Sequence, residues 1–273
     1  MANAELFTQH PDVVAAVDAV KRQCAGKPLS DIIDDAGHQY VDVVMEGGGV
    51  LGIALTGYSY VLEQAGIRFL GIGGTSAGSI NALMIAALGR PADAKSEKLV
   101  SVLAGIPLAR FIDGDSDARD FSQAVMERAG MAKLLWKAAQ VVDNLKEDLG
   151  LNPGQAFFNW VTSELRKVGI HTNADLQHTL AATPPGLRHR NGTALADEDK
   201  CGRLAIVAAY ITTETKVEFP KMAELYWSDP DRINPAYFVR ASMSIPFFFH
   251  PFQVDDCPQN RREAWEKHAQ YFG

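Results

Sequence analysis

The stretch from Val41 to Gly78 reads VDVVMEGGGVLGIALTGYSYVLEQAGIRFLGIGGTSAG, and it limits the possible folds more than any other part of the chain. Val41-Asp42-Val43-Val44-Met45 is short, β-branched and ended by glycine, which predicts a buried strand. Gly47-Gly48-Gly49-Val50-Leu51-Gly52 is the turn that follows. Ile53 to Ala65 predicts a helix packed through Ile53, Ala54, Tyr58, Val61, Leu62 and Ala65, with Gly66 placed for a C-terminal cap. Ile67 to Ile72 predicts a second strand, and Gly74-Thr75-Ser76-Ala77-Gly78 makes a second turn. Ser79 to Leu88 predicts a helix that is apolar on nearly every side and so buried at the centre of a sheet-based fold. Two strand-to-helix turns in succession, with short connections, predict an α/β fold with a parallel sheet.

Both turns carry chemistry. A serine in G-x-S-x-G between a strand and a helix sits on a sharp turn that pushes its hydroxyl out of the fold, which makes Ser76 a candidate nucleophile. Gly74 and Gly78 flank it because side chains there would collide with strand and helix. The N-terminus of the following helix favours negative charge at that point. Acyl transfer builds charge on a carbonyl oxygen and needs fixed N–H donors where that charge appears. The turn of Gly47, Gly48, Gly49 and Gly52 supplies such donors, and parallel neighbouring strands would set it beside Ser76. Gly47-x-Gly49-x-x-Gly52 also fits a dinucleotide fingerprint, but the second strand ends in GGTSAG where that fold expects an acidic residue for the ribose. Neither turn has the Gly-Lys-Ser/Thr ending of a phosphate-binding loop. No cofactor and no metal site is implied.

A general base is not evident from the residues. His250 and His268 are the histidines past the last clear strand, and a Ser-His-acid esterase would use one of them. His250 lies within FFFHPF, a setting that favours a structural role, and His268 lies in a polar tail.

The rest of the chain frames this centre. Asp12 to Cys24 predicts a helix with Val13, Val14, Val17 and Val20 on one face, and residues 1–40 form an N-terminal helical segment without chemistry. From Pro91 to about Gly150 the pattern is helical and more polar, with an apolar stripe through Met131, Leu134, Leu135, Ala138, Val141, Val142, Leu145 and Leu149 that favours packing on the core over lipid contact. Phe157 to Lys167 predicts another helix, Thr183 to Lys200 a loop, and Arg203 to Thr212 a buried strand partnered through Val217 and Phe219. Phe247-Phe248-Phe249 and Phe252 fit an acyl pocket or plain core packing equally well. With no internal repeats and no low-complexity linker, residues 41–273 read as one domain.

A net charge of −7 over 273 residues argues against nucleic acid and anionic lipid surfaces as broad partners. Cys24, Cys201 and Cys257 fit neither a metal-ligand spacing nor a disulfide framework, and read as reduced, buried thiols of a cytoplasmic protein. The N-terminus lacks a secretory pattern, and no apolar window approaches the length of a membrane span, so lipid contact is expected to be peripheral.

Taken together, Glu46 to Gly52 and Gly74 to Gly78 resemble the patatin-like phospholipases, a family of lipid acyl hydrolases. Further stretches resemble it in order: Leu151-Asn152-Pro153-Gly154 with Phe158 and Trp160, Ala174-Asp175-Leu176, Leu204 to Thr213, and Val239-Arg240-Ala241-Ser242-Met243-Ser244-Ile245-Pro246. The resemblance covers residues 40 to 255. It implies a three-layer α/β fold with a mostly parallel central sheet flanked by helices, and a Ser-Asp dyad with Ser76 as nucleophile. It also implies an oxyanion hole in the Gly47–Gly52 turn and a phospholipid or other lipid ester as substrate, met at the membrane surface.

Two departures stand out. Leu51 replaces the Arg or Lys of many members. The resemblance also places the dyad aspartate in an Asp-Gly motif after Pro246, where this sequence has none, Asp255-Asp256 being followed by Cys257. Asp113-Gly114 precedes the strand it should follow and reads as structural. The expectation is that the domain is incomplete at its C-terminus. The alternative is an impaired module that binds lipid or a partner without catalysis.

Overall fold

The computed structural model describes residues 4–49, 52–114, 149–255 and 257–269. Among these residues, six strands form one mixed sheet: β1 (Ile32–Ile33), β2 (Gln39–Met45), β3 (Ile67–Thr75), β4 (Arg188–His189), β5 (Arg203–Tyr210) and β6 (Thr215–Phe219), in the order β4-β1-β2-β3-β5-β6. β2, β3 and β5 are mutually parallel, and the other pairings are antiparallel. The flanking helices include α1 (Glu5–Thr8), α2 (Pro11–Cys24), α3 (Gly52–Gln64), α4 (Ala77–Ala87) and α5 (Ser96–Ala104), followed by α6 (Gln155–Lys167), α7 (Asn173–Leu180), α8 (Ala236–Ser242) and α9 (Arg262–His268). This is the expected α/β architecture with a sheet parallel at its centre. The apolar stripe from Met131 to Leu145, and Leu51, lie outside the described residues.

The steps from β2 to β3 and from β3 to β5 run in the same direction across the sheet. Right-handed crossovers therefore bring α3 and α4 to the same face. There α4 packs directly on the central strands, and all eleven of its residues are buried. Thr56 of α3 donates to Asn81 Oδ1 of α4 at 2.9 Å. On this face β2 and β5 contribute Val43, Met45, Leu204, Ile206 and Ala208 to the main core.

The opposite face corrects the expectation of a fully buried first strand. β2 alternates, with Val43 and Met45 buried, Asp42 exposed, and Val44 85% exposed. The row Val44–Gly73–Ala205 across the three parallel strands is made of small residues. An uninterrupted Val-Val pair looks the same in sequence whether one face of its strand is covered or both.

A register shift between Val41 and Val43 marks a bulge in β3, where Leu70 and Gly71 together stand opposite Asp42. The ladder donor that the bulge leaves over, Gly71 N–H, is taken by Asp42 Oδ1 at 2.7 Å. A β-carbon on Gly71 would lie 2.4 Å from that oxygen, so a side chain there would displace the Asp42 carboxylate from this bond. Beyond the bulge Met45 pairs with Gly74, which brings the ends of β2 and β3 level.

Other expectations are corrected in detail. α3 packs through Gly52, Thr56, Ser59, Tyr60 and Glu63, whereas Ile53 and Tyr58 are 49% and 60% exposed. The reason is that its neighbours are α2, α4 and α5 as well as the sheet, and the polar groups of Thr56 and Glu63 are buried there with hydrogen-bond partners. Glu63 accepts the backbone N–H groups of Lys95 and Ser96 at the start of α5. In α2, Val17 is buried but Val14 is exposed. The first forty residues are not purely helical, because β1 lies among them and pairs with β2 and β4. β4 lies in the stretch expected as loop. Cys257 is exposed rather than buried, and all three cysteines are free thiols.

Candidate active site

The parallel pairing of β2 with β3 ends at Met45 and Gly74, so the two glycine turns leave the same edge of the sheet side by side. The glycines measure how closely they fit. A β-carbon on Gly47 would stand 2.8 Å from Ser76 Cβ, and one on Gly52 2.6 Å from Ala77 Cβ. Gly74 and Gly78 meet backbone: a β-carbon on Gly74 would lie 2.3 Å from Gly78 O, and one on Gly78 2.1 Å from Met45 O. The four positions are thus glycine because two stretches of backbone, the Ser76 side chain and the Ala77 methyl occupy the space. Gly47, Gly48 and Gly49 are exposed, and their N–H groups have no acceptor among the described residues.

Ser76 stands between β3 and α4 with φ 49° and ψ −126°. For a residue with a side chain this conformation costs about 1–3 kcal/mol, and it persists only where the surroundings over-determine it. They do so here. Ser76 O accepts from Ser79 N at 2.9 Å and Ser79 Oγ at 2.6 Å. Ser76 N–H donates to Ser242 Oγ at 2.9 Å, and Ser242 Oγ donates to Val207 O at 2.6 Å. Thr75 Oγ1 donates to the same carbonyl at 3.2 Å. The Ser76 hydroxyl is left pointing out of the turn, with Met243 Sδ at 3.7 Å as its hydrogen-bond partner. At the start of α4 the helix dipole favours negative charge beside it.

Asn81, buried on α4, joins the turns. Its Nδ2 donates to Gly52 O at 3.1 Å and Ala77 O at 3.3 Å, while its Oδ1 accepts from Thr56. Sequence reasoning missed both Asn81 and Ser242. For Asn81 a signal existed: a lone amide in an otherwise apolar helix must be bonded when buried. Ser242 lies in the stretch Val239 to Pro246 that carries the resemblance, but nothing there gave its role, because its partners lie on another strand and another turn.

The structure sends the remaining candidates elsewhere. His268 is buried against Glu224, with Nε2 at 3.0 Å from Oε1. His250 lines a cavity of about 450 Å³ with Arg240, Phe252 and Asp255. Its carbonyl accepts from Arg240. Burial pushes the pKa of the Arg240 guanidinium down. Asp113 caps α6 by accepting Gly154 N–H and Ala156 N–H, the structural role expected of it. Of the aromatic cluster, Phe249 is core, Phe248 packs against the core, and Phe247 is exposed. Among the described residues no carboxylate or imidazole hydrogen-bonds to Ser76, and no group of His, Cys, Asp and Glu is arranged to hold a metal ion. No described helix is long and apolar enough to cross a membrane. Asp256 lies outside the described residues.

Two comparisons with known proteins bear on this geometry. The chain is similar to the uncharacterized protein YqhO of Bacillus subtilis (strain 168), 29% identical over 215 residues, which are 79% of this chain and 59% of that protein. It therefore spans less than two thirds of the length of that relative. No solved structure matches the chain. Residues 43–265 match the family model described as patatin-like phospholipase, a span that contains both glycine turns, Ser76 and Ser242. With that match over most of its length and a six-stranded α/β sheet beneath it, the chain belongs to the patatin-like phospholipase family.

Proposed function

We propose that the protein is a lipid acyl hydrolase of the phospholipase A or lysophospholipase type, in which Ser76 attacks an ester carbonyl and forms an acyl-enzyme that water then hydrolyses. The observation that carries this reading is the fit of the two turns. Gly47 lies against Ser76 closely enough that a β-carbon there would stand 3.3 Å from Ser76 Oγ, so a carbonyl attacked by that hydroxyl meets the free amides of the glycine turn. Gly47, Gly48, Gly49 and Gly52 form the oxyanion hole, and Gly74 and Gly78 make the sharp turn for the nucleophile. Family membership supports a lipid ester as the substrate; that it is reached from the cytoplasm by peripheral contact with a membrane surface is part of the proposal.

One observation favours a second reading, a module that binds lipid without turning it over. The partner of Ser76 Oγ is a thioether, which is a weak acceptor and no general base. The two readings part in a direct experiment: fatty-acid release from phosphatidylcholine vesicles, and covalent labelling by a fluorophosphonate, for the wild-type chain and its Ser76→Ala variant. Hydrolysis and labelling lost with Ser76 support the hydrolase. Equal release from the two proteins sinks it, and vesicle binding without labelling supports the binding module.

A further inference from the structure

Ser76 needs something to hold its unfavourable backbone, and the sheet offers a reason for how that is done. β3 leaves the sheet after Thr75, whose partner on β5 is Val207. The Val207 carbonyl, at the point where its neighbour strand departs, accepts two hydroxyls instead, from Thr75 and from Ser242. Ser242 is the last residue of α8, a helix that packs on β5, so its position is fixed independently of the turn.

A serine hydroxyl has one proton to donate and can accept two. Ser242 spends its proton on Val207 O at 2.6 Å, so towards Ser76 it acts only as an acceptor, at 2.9 Å from the amide nitrogen. The direction of that bond is therefore fixed. It holds the peptide plane between Thr75 and Ser76, and with it the φ of 49°. It also takes the Ser76 N–H out of the pool of donors for a developing oxyanion, which leaves that work to the glycine turn and the first amides of α4.

We propose that Ser242 is a positioning residue for Ser76: its hydroxyl, anchored on Val207 O, holds the nucleophile's backbone in the strained conformation that turns Oγ towards the oxyanion turn. This rests on the reading of Ser76 as nucleophile. The neighbouring Met243 sets the side chain's other boundary, since its sulfur is the partner of Ser76 Oγ.

The test compares wild type, Ser242→Ala and Ser242→Thr by two measurements. The first is hydrogen exchange at the Ser76 amide, followed by NMR, which needs no activity. Ser242→Ala is expected to exchange there at least about tenfold faster, with amides in the middle of α4 unchanged and Ser242→Thr close to wild type. The second is the rate of Ser76 labelling by a fluorophosphonate. A misplaced nucleophile is expected to react about 10- to 100-fold more slowly in Ser242→Ala, through the maximal rate and not through reagent affinity, with the threonine variant restoring the rate to within about threefold. Unchanged exchange at Ser76 in Ser242→Ala overturns the proposal. So does unchanged labelling alongside a labelled wild type. A wild type that never labels, with Ser76 exchange still released by Ser242→Ala, sinks the hydrolase reading and leaves the clamp standing as structure. Should Ser242→Ala fail to fold, Ser242→Cys, a weaker acceptor of similar size, replaces it in the same comparison.

Discussion

The carbonyl oxygen of Met45 lies 2.1 Å from the point where a β-carbon on Gly78 would stand. The end of β2 and the start of α4 are therefore in backbone contact, and nothing larger than hydrogen fits between them. Gly78→Ala must separate two backbones rather than rotate a side chain, and it is expected to cost at least about 1–3 kcal/mol. Urea denaturation checks this against Gly66→Ala. Gly66 has φ 86° but open space around its missing β-carbon, so only backbone strain is added there, about 1 kcal/mol.

Gly47 faces a side chain, and the outcome should differ. A β-carbon there would press on Ser76 Cβ at 2.8 Å, at an exposed turn that carries little of the core. Gly47→Ala is expected to leave the melting temperature within a few degrees of wild type while slowing fluorophosphonate labelling about 100-fold. A large fall in melting temperature with normal labelling of the folded fraction would contradict this.

Val43 and Val44 are neighbours with opposite fates. Val43 is buried in the core against α4, and Val43→Ala should cost about 1.5–3 kcal/mol. Val44 is 85% exposed, and Val44→Thr should shift stability by no more than about 0.5 kcal/mol. Matched denaturation curves would show whether the outer face of β2 is as open as the structure has it.

Lys95 gives a dependence on pH. It is 2% exposed, and burial pushes its pKa down from 10.5 to about 8, against the opposing pull of Glu63 and Asp93. Between those two values the unfolded chain holds a proton that the folded chain has released, so stability rises with pH across that window. Below about pH 8 both states are protonated and the full penalty of a buried ammonium stands. Lys95→Met is therefore expected to stabilise the protein at neutral pH by up to roughly 3 kcal/mol. The gain should shrink as pH climbs towards 10.5. Thermal melts of both proteins across this range measure it.

Much of this arrangement is legible in the chain itself, for a local reason. Glycine where a side chain cannot fit, a serine between strand and helix, and an apolar helix after it are consequences of short-range sterics and burial. They place β2, β3, α3, α4 and both turns within a few residues of where the structure has them. The Gly66 cap, with its φ of 86°, is local in the same sense.

What sequence could not reveal depends on partners distant along the chain. The packed side of α3 is chosen by α2, α4 and α5, which is why Tyr58 faces out and Glu63 faces in. The extra residue of β3 at Leu70 and Gly71 sets the two turns level, and it is defined by the pairing with β2, which neither strand shows alone. Val44 is open because consecutive right-handed crossovers put α3 and α4 on one face of the sheet, a matter of strand order and not of composition. Sequence alone determined that a serine would sit on a glycine turn beside a second glycine turn, because side chains at those glycines would collide with the neighbouring turn or backbone. Tertiary structure alone decided what holds Ser76 there: Ser242, brought from 166 residues away, because its one hydroxyl proton goes to Val207 O and its lone pair to the Ser76 amide.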